Sequence, residues 1–176
     1  REYTSLDRKR AFEILSHPET MAFWPAPMTR EQIEKWLATK VDAYRGRGIG
    51  RFAVVLRSNN TVIGDAGIVS AEVNGKKEWD LGYIIHADHW GNGYGVEVAG
   101  GLLDYAFRYT DLDRIIAHFA QDHQYSRKVA EGVGMQYETS FTFERNLGKM
   151  HDLYVMNRRT YIARRREIHI DRIGGS

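Results

Sequence analysis

The sequence predicts a mixed α/β domain in which helices flank one central sheet. Two amphipathic helical patterns open the chain, three strand patterns follow as hairpins, and strands alternate with helices in the second half. The predicted order of elements is therefore ααβββαβαββ. Because hairpins join antiparallel strands, we expect a mostly antiparallel sheet.

Two helices are predicted before the sheet. Asp7 is placed to cap the first, whose apolar positions continue until Pro18 disfavours further helix. Thr29 and Gln32 have the spacing of a capping box ahead of the second helix. The apolar face of that helix is formed by Ile33, Trp36, Leu37, Val41 and Tyr44.

The remaining elements are predicted from strand and helix periodicity. Asn74-Gly75 is the signal of a type I′ hairpin between two of the strands. Residues 1–176 are expected to form one domain, and the abrupt opening at Arg1 suggests that its first edge strand is truncated. The predicted segments are strands over 52–56, 62–73 and 78–86, a helix over 96–109, a strand over 114–120, a helix over 126–132, and strands over 135–145 and 152–160.

Composition excludes some classes of function. The chain has no cysteine, so disulfides and thiol catalysis are impossible. Its 25 basic and 23 acidic residues give a net charge of +2, and much of the excess lies in the arginine-rich residues 158–166, which we interpret as a solvated tail or helix surface. No long apolar run or signal-like segment occurs, so we expect a cytoplasmic protein with no membrane or nucleic-acid partner.

The most informative motif is a glycine-rich junction between a predicted strand and a predicted helix. Gly91, Gly93 and Gly95 stand at alternate positions there. Glycine accepts positive φ, and the first turn of a helix offers unpaired N–H groups, so the junction suits a pyrophosphate. A dinucleotide fingerprint would need glycine at position 96 or 98, where the chain has Val96 and Val98, and no Gly-Lys-Ser/Thr follows as a Walker loop requires.

Two stretches around this junction resemble the GNAT superfamily of N-acetyltransferases. They are residues 83–95, which end in Trp-Gly-Asn-Gly-Tyr-Gly, and residues 122–135. The similarity is greatest to the branch of ribosomal-protein N-terminal, spermidine and aminoglycoside acetyltransferases. It implies a splayed strand in the sheet and direct transfer from acetyl-CoA to a primary amine of a small molecule or a protein N-terminus. It also allows a homodimer.

The resemblance further implies which residues bind the coenzyme. Ile84 and Ile85 would lie on the splayed strand beside the pantetheine arm, where a free amide polarises the thioester carbonyl. His123 stands where the family usually has an asparagine that bonds the pantetheine amides. Ala130 stands where many members have a tyrosine that protonates the departing thiolate. The pyrophosphate would be bound by main-chain N–H groups of Gly91, Asn92, Gly93, Tyr94, Gly95 and Val96.

Four residues are candidates for acid and base. Ser126 is the preferred acid, because in the resembled branch a serine there points at the coenzyme sulfur, and Tyr154 on a late strand is second. Glu78 and Asp80 share one face of a strand and are the nearest candidates for a base that deprotonates the amine. Solvated charge at the start of a strand is the simpler interpretation of both. Glu97 is interpreted as a structural partner of the helix dipole.

Other polar and aromatic groups have simpler interpretations. His86, Asp88 and His89 lack a further ligand at useful spacing, so no metal is expected, and His118 is interpreted as a core or face histidine. Trp24, Pro25 and Trp36 fit packing as well as a wall of the acceptor pocket.

Two other functions compete with catalysis. A catalytically silent coenzyme A-binding module is the alternative, because His123 and Ala130 depart from the family pattern. Nucleic-acid binding through the arginine-rich end ranks last, and it would show strongly salt-dependent affinity.

Overall fold

A computed structural model describes residues 1–43 and 50–173. Tyr44 of the predicted second helix lies outside these residues. Six strands form one sheet in the order β1-β2-β3-β4-β6-β5. The strands are β1 Arg51–Val55, β2 Val62–Val73, β3 Lys76–Ile85, β4 Arg114–Ala120, β5 Gln136–Phe143 and β6 Lys149–Asn157. The helices are α1 Arg8–Leu15, α2 Arg30–Ala43, α3 Tyr94–Tyr109, α4 Gln124–Gly132 and α5 Arg158–Ile173.

The predicted fold class is confirmed: every pair of neighbouring strands is antiparallel except β3 and β4. These two strands run parallel and share a single bridging pair, Asp80 with Ile116. Beyond that pair the second half of β3 and the second half of β4 separate. The sheet therefore contains the splayed strand that the family resemblance implies, and a gap opens between its two halves.

The two faces of the sheet carry separate cores. On one face α3 and α4 bury Leu103 and Ala130 against Leu81 and Met156 of the sheet. On the other face α1 and α2 pack over β1 and β2, with Ile14, Leu15, Ile33 and Leu37 next to Ala53 and Val62. The helix pairs hold both halves of the sheet in place while leaving the gap open.

Two turns use left-handed backbone conformations. Asn74 and Gly75 have φ of 49° and 71°, which confirms the type I′ hairpin between β2 and β3. Leu147 and Gly148, with φ of 56° and 69°, turn the chain between β5 and β6 after the short 3-10 turn Glu144–Asn146.

Arg114 joins three strands at the closed end of the gap. Its Nε lies 3.2 Å from a carboxylate oxygen of Glu78 on β3, and its two terminal nitrogens lie 2.8 Å from the two oxygens of Glu138 on β5. These carboxylates raise the pKa of the Arg114 guanidinium above its ordinary value. The bidentate geometry with Glu138 is the stronger form of such a pair.

The predicted end of the last strand is wrong. The last strand ends at Asn157 rather than at residue 160, because Arg158 turns away to bind the segment after α3. Its N–H donates to Asp113 O at 2.8 Å, and its guanidinium donates to Leu112 O at 2.7 Å. The arginine-rich segment continues as α5, in agreement with its interpretation as a helix surface.

At the N-terminus, Asp7 does not cap α1. Its carboxylate instead accepts from Thr4 N at 2.8 Å and from the Arg1 guanidinium, and so closes a short 3-10 turn over Ser5–Asp7. Arg1 lies beside β1, where Ala53 N donates to Arg1 O at 2.9 Å. A truncated edge strand at this position stays a prediction. In the described ranges, no helix is long and apolar enough to cross a membrane.

Candidate active site

The glycine-rich loop between β3 and α3 is shaped by its left-handed residues. Gly91 and Gly93 have φ of 76° and 79°, and a Cβ atom at either position would meet nothing within 4 Å. Asn92 Nδ2 donates to His89 O and Trp90 O at 3.1 and 3.0 Å, and Trp90 Nε1 donates to Ile85 O at 2.7 Å. These bonds hold the loop against the end of β3 and leave its outer surface open.

The main-chain N–H groups of residues 91–96 have no hydrogen-bond partner anywhere in the described part of the chain. The first intrahelical bond of α3 runs from Glu97 N to Gly93 O at 3.0 Å, so the preceding N–H groups point out of the helix. The positive end of the α3 dipole lies at the same place. Several donors and a positive dipole end suit an anion with several oxygens, such as a pyrophosphate.

The main chain of β3 presents alternate residues to the gap. His86 N donates to Ile63 O of the preceding hairpin at 2.8 Å. In an antiparallel pair the polar groups of successive residues point to opposite sides, so the main chain of Ile84 faces β2. The N–H groups of Tyr83 and Ile85 therefore face the gap. Ile84 contributes its side chain to the cavity described next.

A cavity of about 620 Å³ opens from the gap toward the loop that joins α1 and α2. Trp24, Pro25 and Trp36 all line it, as the wall interpretation of these residues expects. The polar groups that line it are Gln32, Arg51, Asp65, Asp80, Tyr83, His118, His123, Ser126, Arg145, Asn146 and His151. A volume of this size accommodates a small organic ligand.

Asp80 lies where the gap begins, since it belongs to the bridging pair of β3 and β4. Its side chain is 19% exposed, and its Oδ1 is buried without a hydrogen-bond partner among the described residues. Burial raises the pKa of Asp80 to about 6, although the charge of Arg51 acts in the opposite direction. A carboxylate that titrates near neutral pH can accept a proton from an amine.

Arg51 occupies the floor of the cavity because its neighbours are glycines. In the register of the sheet Arg51 is opposite Gly67, and Gly67 is opposite Gly82. A Cβ atom at Gly82 would collide with the Arg51 guanidinium, so glycine there leaves the space that the arginine fills. The guanidinium forms an ion pair with Asp65, which is almost fully buried.

His123 caps α4 and contacts the loop between α1 and α2. Its Nδ1 accepts from Ser126 N at 3.5 Å, and its ring is stacked on Phe23 with centroids 3.7 Å apart. Burial lowers the pKa of His123 to about 4, so the ring is neutral at physiological pH. Because Nδ1 accepts, the ring proton is on Nε2 and is free to donate.

The acid candidates lie in different surroundings. Ser126 is buried in the first turn of α4 and lines the cavity, and its carbonyl accepts from Tyr83 Oη at 3.1 Å. Tyr154 belongs to the core under α3 and α4, does not line the cavity, and donates to Glu131 at 3.2 Å. Ala130 is buried in the same core.

The remaining charged candidates lie outside the cavity. Glu78 is paired with Arg114, and Glu97 is exposed in the first turn of α3. His86 Nδ1 accepts from Asp88 N at 3.3 Å. Within residues 1–43 and 50–173 no three potential ligands come together as a metal site would need.

Sequence reasoning missed several groups that line the cavity, among them Phe23, Arg51, Tyr83, Asn146 and His151. His151 escaped notice because the last strand was predicted to begin at residue 152, whereas β6 begins at Lys149. With the observed start, alternation would have placed His151 on the same face as Leu153 and next to Ala120. Asn146 comes from an irregular turn and had no periodic signal.

Comparison with known proteins gives a family match. The model of the Acetyltransferase (GNAT) domain matches residues 1–136. The chain is 28% identical over 141 residues to the uncharacterised N-acetyltransferase YnaD of Bacillus subtilis (strain 168), which covers 80% of each chain.

Solved structures share the fold. An acetyltransferase (GNAT family) from Bacillus anthracis superposes with a TM-score of 0.75 at 22% identity, over 90% of this chain and 93% of that one. A spermidine N-acetyltransferase from Vibrio cholerae, solved in complex with CoA and spermine, superposes with a TM-score of 0.74 at 17% identity, over 92% and 96%.

Proposed function

This chain belongs to the GNAT acetyltransferase family, and from that premise we propose that it transfers acetyl from acetyl-CoA to a primary amine of a small molecule or a protein N-terminus. One observation carries the proposal. The unpartnered N–H groups of residues 91–96 lie at the start of α3, directly after the strand that borders the gap. The loop and the gap together suit a ligand with a diphosphate at one end and a long thin arm at the other.

The residues present fit this cosubstrate. The N–H groups of residues 91–96 would bind its pyrophosphate, and those of Tyr83 and Ile85 would bind the pantetheine arm like an added strand. His123 offers one N–H to a pantetheine carbonyl in place of the asparagine that is usual in the family. When bound, acetyl-CoA supplies an acetyl group activated as a thioester. An N–H that faces the gap would stabilise charge on the thioester oxygen by about 3 kcal/mol.

Asp80 is the proposed base. An amine is protonated at neutral pH and must lose a proton before it can attack a carbonyl. Asp80 borders the gap and the cavity, and its pKa near 6 keeps it ionised at pH 7.5 while leaving it basic enough to accept the proton. Glu78 is not proposed, because its carboxylate is already paired with Arg114.

Ser126 is the proposed acid for the departing thiolate. It lies in the first turn of α4 and borders the cavity next to His123. Tyr154 is not proposed, because its hydroxyl is directed at Glu131 on the opposite face of the sheet. The chain has no cysteine, so the acetyl group passes to the amine without a cysteine-linked intermediate.

The walls of the cavity favour an acceptor with an apolar body. Trp24, Trp36 and Phe23 supply aromatic surface, while the buried charge of Arg51 is matched by that of Asp65. Asp80 then supplies an ionised carboxylate for one ammonium group, while Arg145 adds a positive charge elsewhere in the lining. The Vibrio cholerae relative was solved with the polyamine spermine, so polyamines belong in the test set.

The test is thiol release from acetyl-CoA by the purified protein, measured against polyamines, aminoglycosides, amino acids and N-terminal peptides. We expect at least one primary amine to release coenzyme A and to gain an acetyl group by mass spectrometry. Coenzyme A should also raise the melting temperature. Binding without turnover across the panel would favour the silent coenzyme A-binding module, and absence of binding would contradict both functions.

A further inference from the structure

A chain of polar contacts runs from the loop between α1 and α2 to Asp80. Asn146 Nδ2 lies 3.1 Å from Phe23 O and 2.9 Å from His151 Nε2. The Nδ1 atoms of His151 and His118 are 3.0 Å apart, and His118 Nε2 lies 3.8 Å from Asp80 Oδ2. Asn146 and His151 are buried, with 4% and 5% exposure, which limits the access of water to their contacts.

The direction of the hydrogen bonds from Phe23 to His118 is fixed from one end, and the last contact, His118 Nε2 with Asp80 at 3.8 Å, is an electrostatic contact longer than a hydrogen bond. A main-chain carbonyl only accepts, so the Asn146 amide must turn its NH₂ group toward Phe23 O, and the same NH₂ group donates to His151 Nε2. A neutral His151 then carries its proton on Nδ1 and donates to His118 Nδ1. His118 in turn carries its proton on Nε2, the atom that faces Asp80.

Both imidazoles are neutral in the physiological range. Burial lowers the pKa of His118 to about 4, and burial together with the neighbouring His118 lowers the pKa of His151 to about 4. Because the nitrogen of His118 that faces Asp80 already carries a proton, His118 cannot take one from the protonated Asp80. The chain is therefore suited to orienting the carboxylate and unsuited to carrying its proton away.

We propose that Asn146, His151 and His118 are positioning residues that present one N–H to Asp80 and link its orientation and proton affinity to the position of Phe23. The proposal rests on the proposed role of Asp80 as the base. The ring of Phe23 stacks on His123, which is the proposed coenzyme contact. A single loop residue thus touches the coenzyme side with its ring and the base side with its carbonyl.

Other charged groups act on Asp80 from neighbouring elements. Arg51 on β1 lowers its pKa, and Arg51 is itself paired with Asp65 on β2. Lys40 on α2 interacts with that ion pair, and Tyr83 is the titratable neighbour on β3. None of these groups is altered by substitutions at Asn146, His118 or His151. An N–H donor favours the ionised carboxylate, so its loss should raise the pKa of Asp80.

The first test reads the tautomers directly, by long-range ¹⁵N–¹H NMR of the full chain without any acceptor. We expect the proton on Nδ1 of His151 and on Nε2 of His118, with neither ring titrating between pH 5 and 8. The opposite tautomers, or a ring that becomes charged in this range, would overturn the proposal.

The variant Asn146→Asp tests the polarity of the chain. An aspartate only accepts, so both tautomers should reverse, and His118 would then present a lone pair to Asp80. We expect the acid limb of the kcat profile, and the carboxyl titration of Asp80 followed by ¹³C NMR, to move up by about one pH unit. Asn157→Asp makes the same chemical change at the exposed end of β6 and should leave both unchanged.

A second pair of variants covers the case in which Asn146→Asp does not fold. His118→Leu removes the donor and should raise the pKa of Asp80. His118→Gln retains an N–H, so the pKa of Asp80 should lie between the values of the Leu variant and of the wild type. Equal titrations in Leu, Gln and wild type would refute the positioning role. If the wild-type protein acetylates no amine, the proposed function is wrong, and the tautomers still test the proposed series of hydrogen bonds. If the wild-type protein acetylates an amine but the tautomers are reversed, the function stands and only the positioning role is wrong.

Discussion

Glu78 and Asp80 show how neighbours decide the chemistry of a residue. Both side chains lie on one face of β3, two positions apart, and both are carboxylates. Glu78 faces Arg114 and is neutralised by it, whereas Asp80 begins the gap and has one oxygen without a partner in the described ranges. The difference comes from the sheet position of each residue, because β4 lies beside the first and diverges after the second.

Asp80→Asn should slow turnover strongly and stabilise the fold at the same time. We expect kcat to fall roughly 10²- to 10⁴-fold, since an amide cannot accept the proton. The pKa of Asp80 is raised from 3.8 to about 6, so its contribution to stability is fully present below pH 3.8 and is lost as pH rises through 6. Removing the buried charge should therefore add up to roughly 3 kcal/mol at pH 7.5 and little at pH 4.

Glu78→Gln is the matched control for this prediction. It should leave kcat within about twofold and lower the melting temperature, because Arg114 loses one of its two partners. Thermal melts at pH 7.5 and pH 4, together with steady-state rates, measure both effects. Equal losses of kcat in the two variants would remove Asp80 from its proposed role.

His123→Asn separates the stacking of His123 on Phe23 from its proposed hydrogen bond to the coenzyme. Asparagine is a good N-cap, so α4 should keep its first turn, while the stacking on Phe23 is lost. We expect the KM of the acceptor to rise roughly two- to tenfold, which corresponds to about 0.5–1.5 kcal/mol of ring contact. Coenzyme A affinity by calorimetry should stay within about threefold. A large loss of coenzyme affinity with an unchanged acceptor KM would contradict this division.

At the level of elements, periodic segments were predictable and irregular ones were not. The order of the first ten helices and strands, the type I′ turn and the loop before α3 follow from patterns that local physics imposes. The start of α5 was misplaced because it depends on Arg158 binding carbonyls that follow α3, far away in the sequence. The candidate site was predictable on β3 and the glycine loop, whereas Asn146 lies in an irregular turn and His151 was missed because the start of the last strand was misplaced.

Gly93→Ala tests the loop as an element. Gly93 has φ of 79°, a conformation that costs an alanine about 1 kcal/mol or more, and its open side is where a pyrophosphate would approach. We expect coenzyme A affinity to fall at least fivefold in calorimetric titrations. Gly101→Ala lies on the exposed surface of α3, where a Cβ atom meets nothing, and should raise stability by roughly 0.5–1 kcal/mol without changing affinity. Equal affinities in both variants would argue against the loop as the phosphate site.

At the scale of the whole molecule, two three-stranded units meet along one line. The first contains β1, β2 and β3, the second contains β4, β6 and β5, and one bridging pair joins them directly. The core under α3 and α4 contains residues of both units, such as Leu81 of β3 and Met156 of β6, and so ties the units together. A ligand in the gap would touch both units, so it would bind only the folded state of the protein.

Hydrogen exchange should detect such a ligand with single-residue resolution. Coenzyme A at about 100 times its Kd should stabilise the folded protein by about 2.7 kcal/mol. Beyond that general effect, the amides of Tyr83 and Ile85 should slow strongly, because they face the gap, while the amide of Ile84 is already bonded to β2. NMR-detected exchange with and without coenzyme A measures the contrast. Uniform slowing of all three amides would place the ligand elsewhere.

The ion pairs of Arg114 have a mechanical consequence. When a force pulls the two halves of the sheet apart, most of it acts on the contacts where the gap ends. The first of these contacts is the Asp80–Ile116 pair, and the next between β3 and β4 is the ion pair of Arg114 with Glu78. Arg114 also binds Glu138 on β5, so the force is shared by three strands before β3 and β4 can separate further.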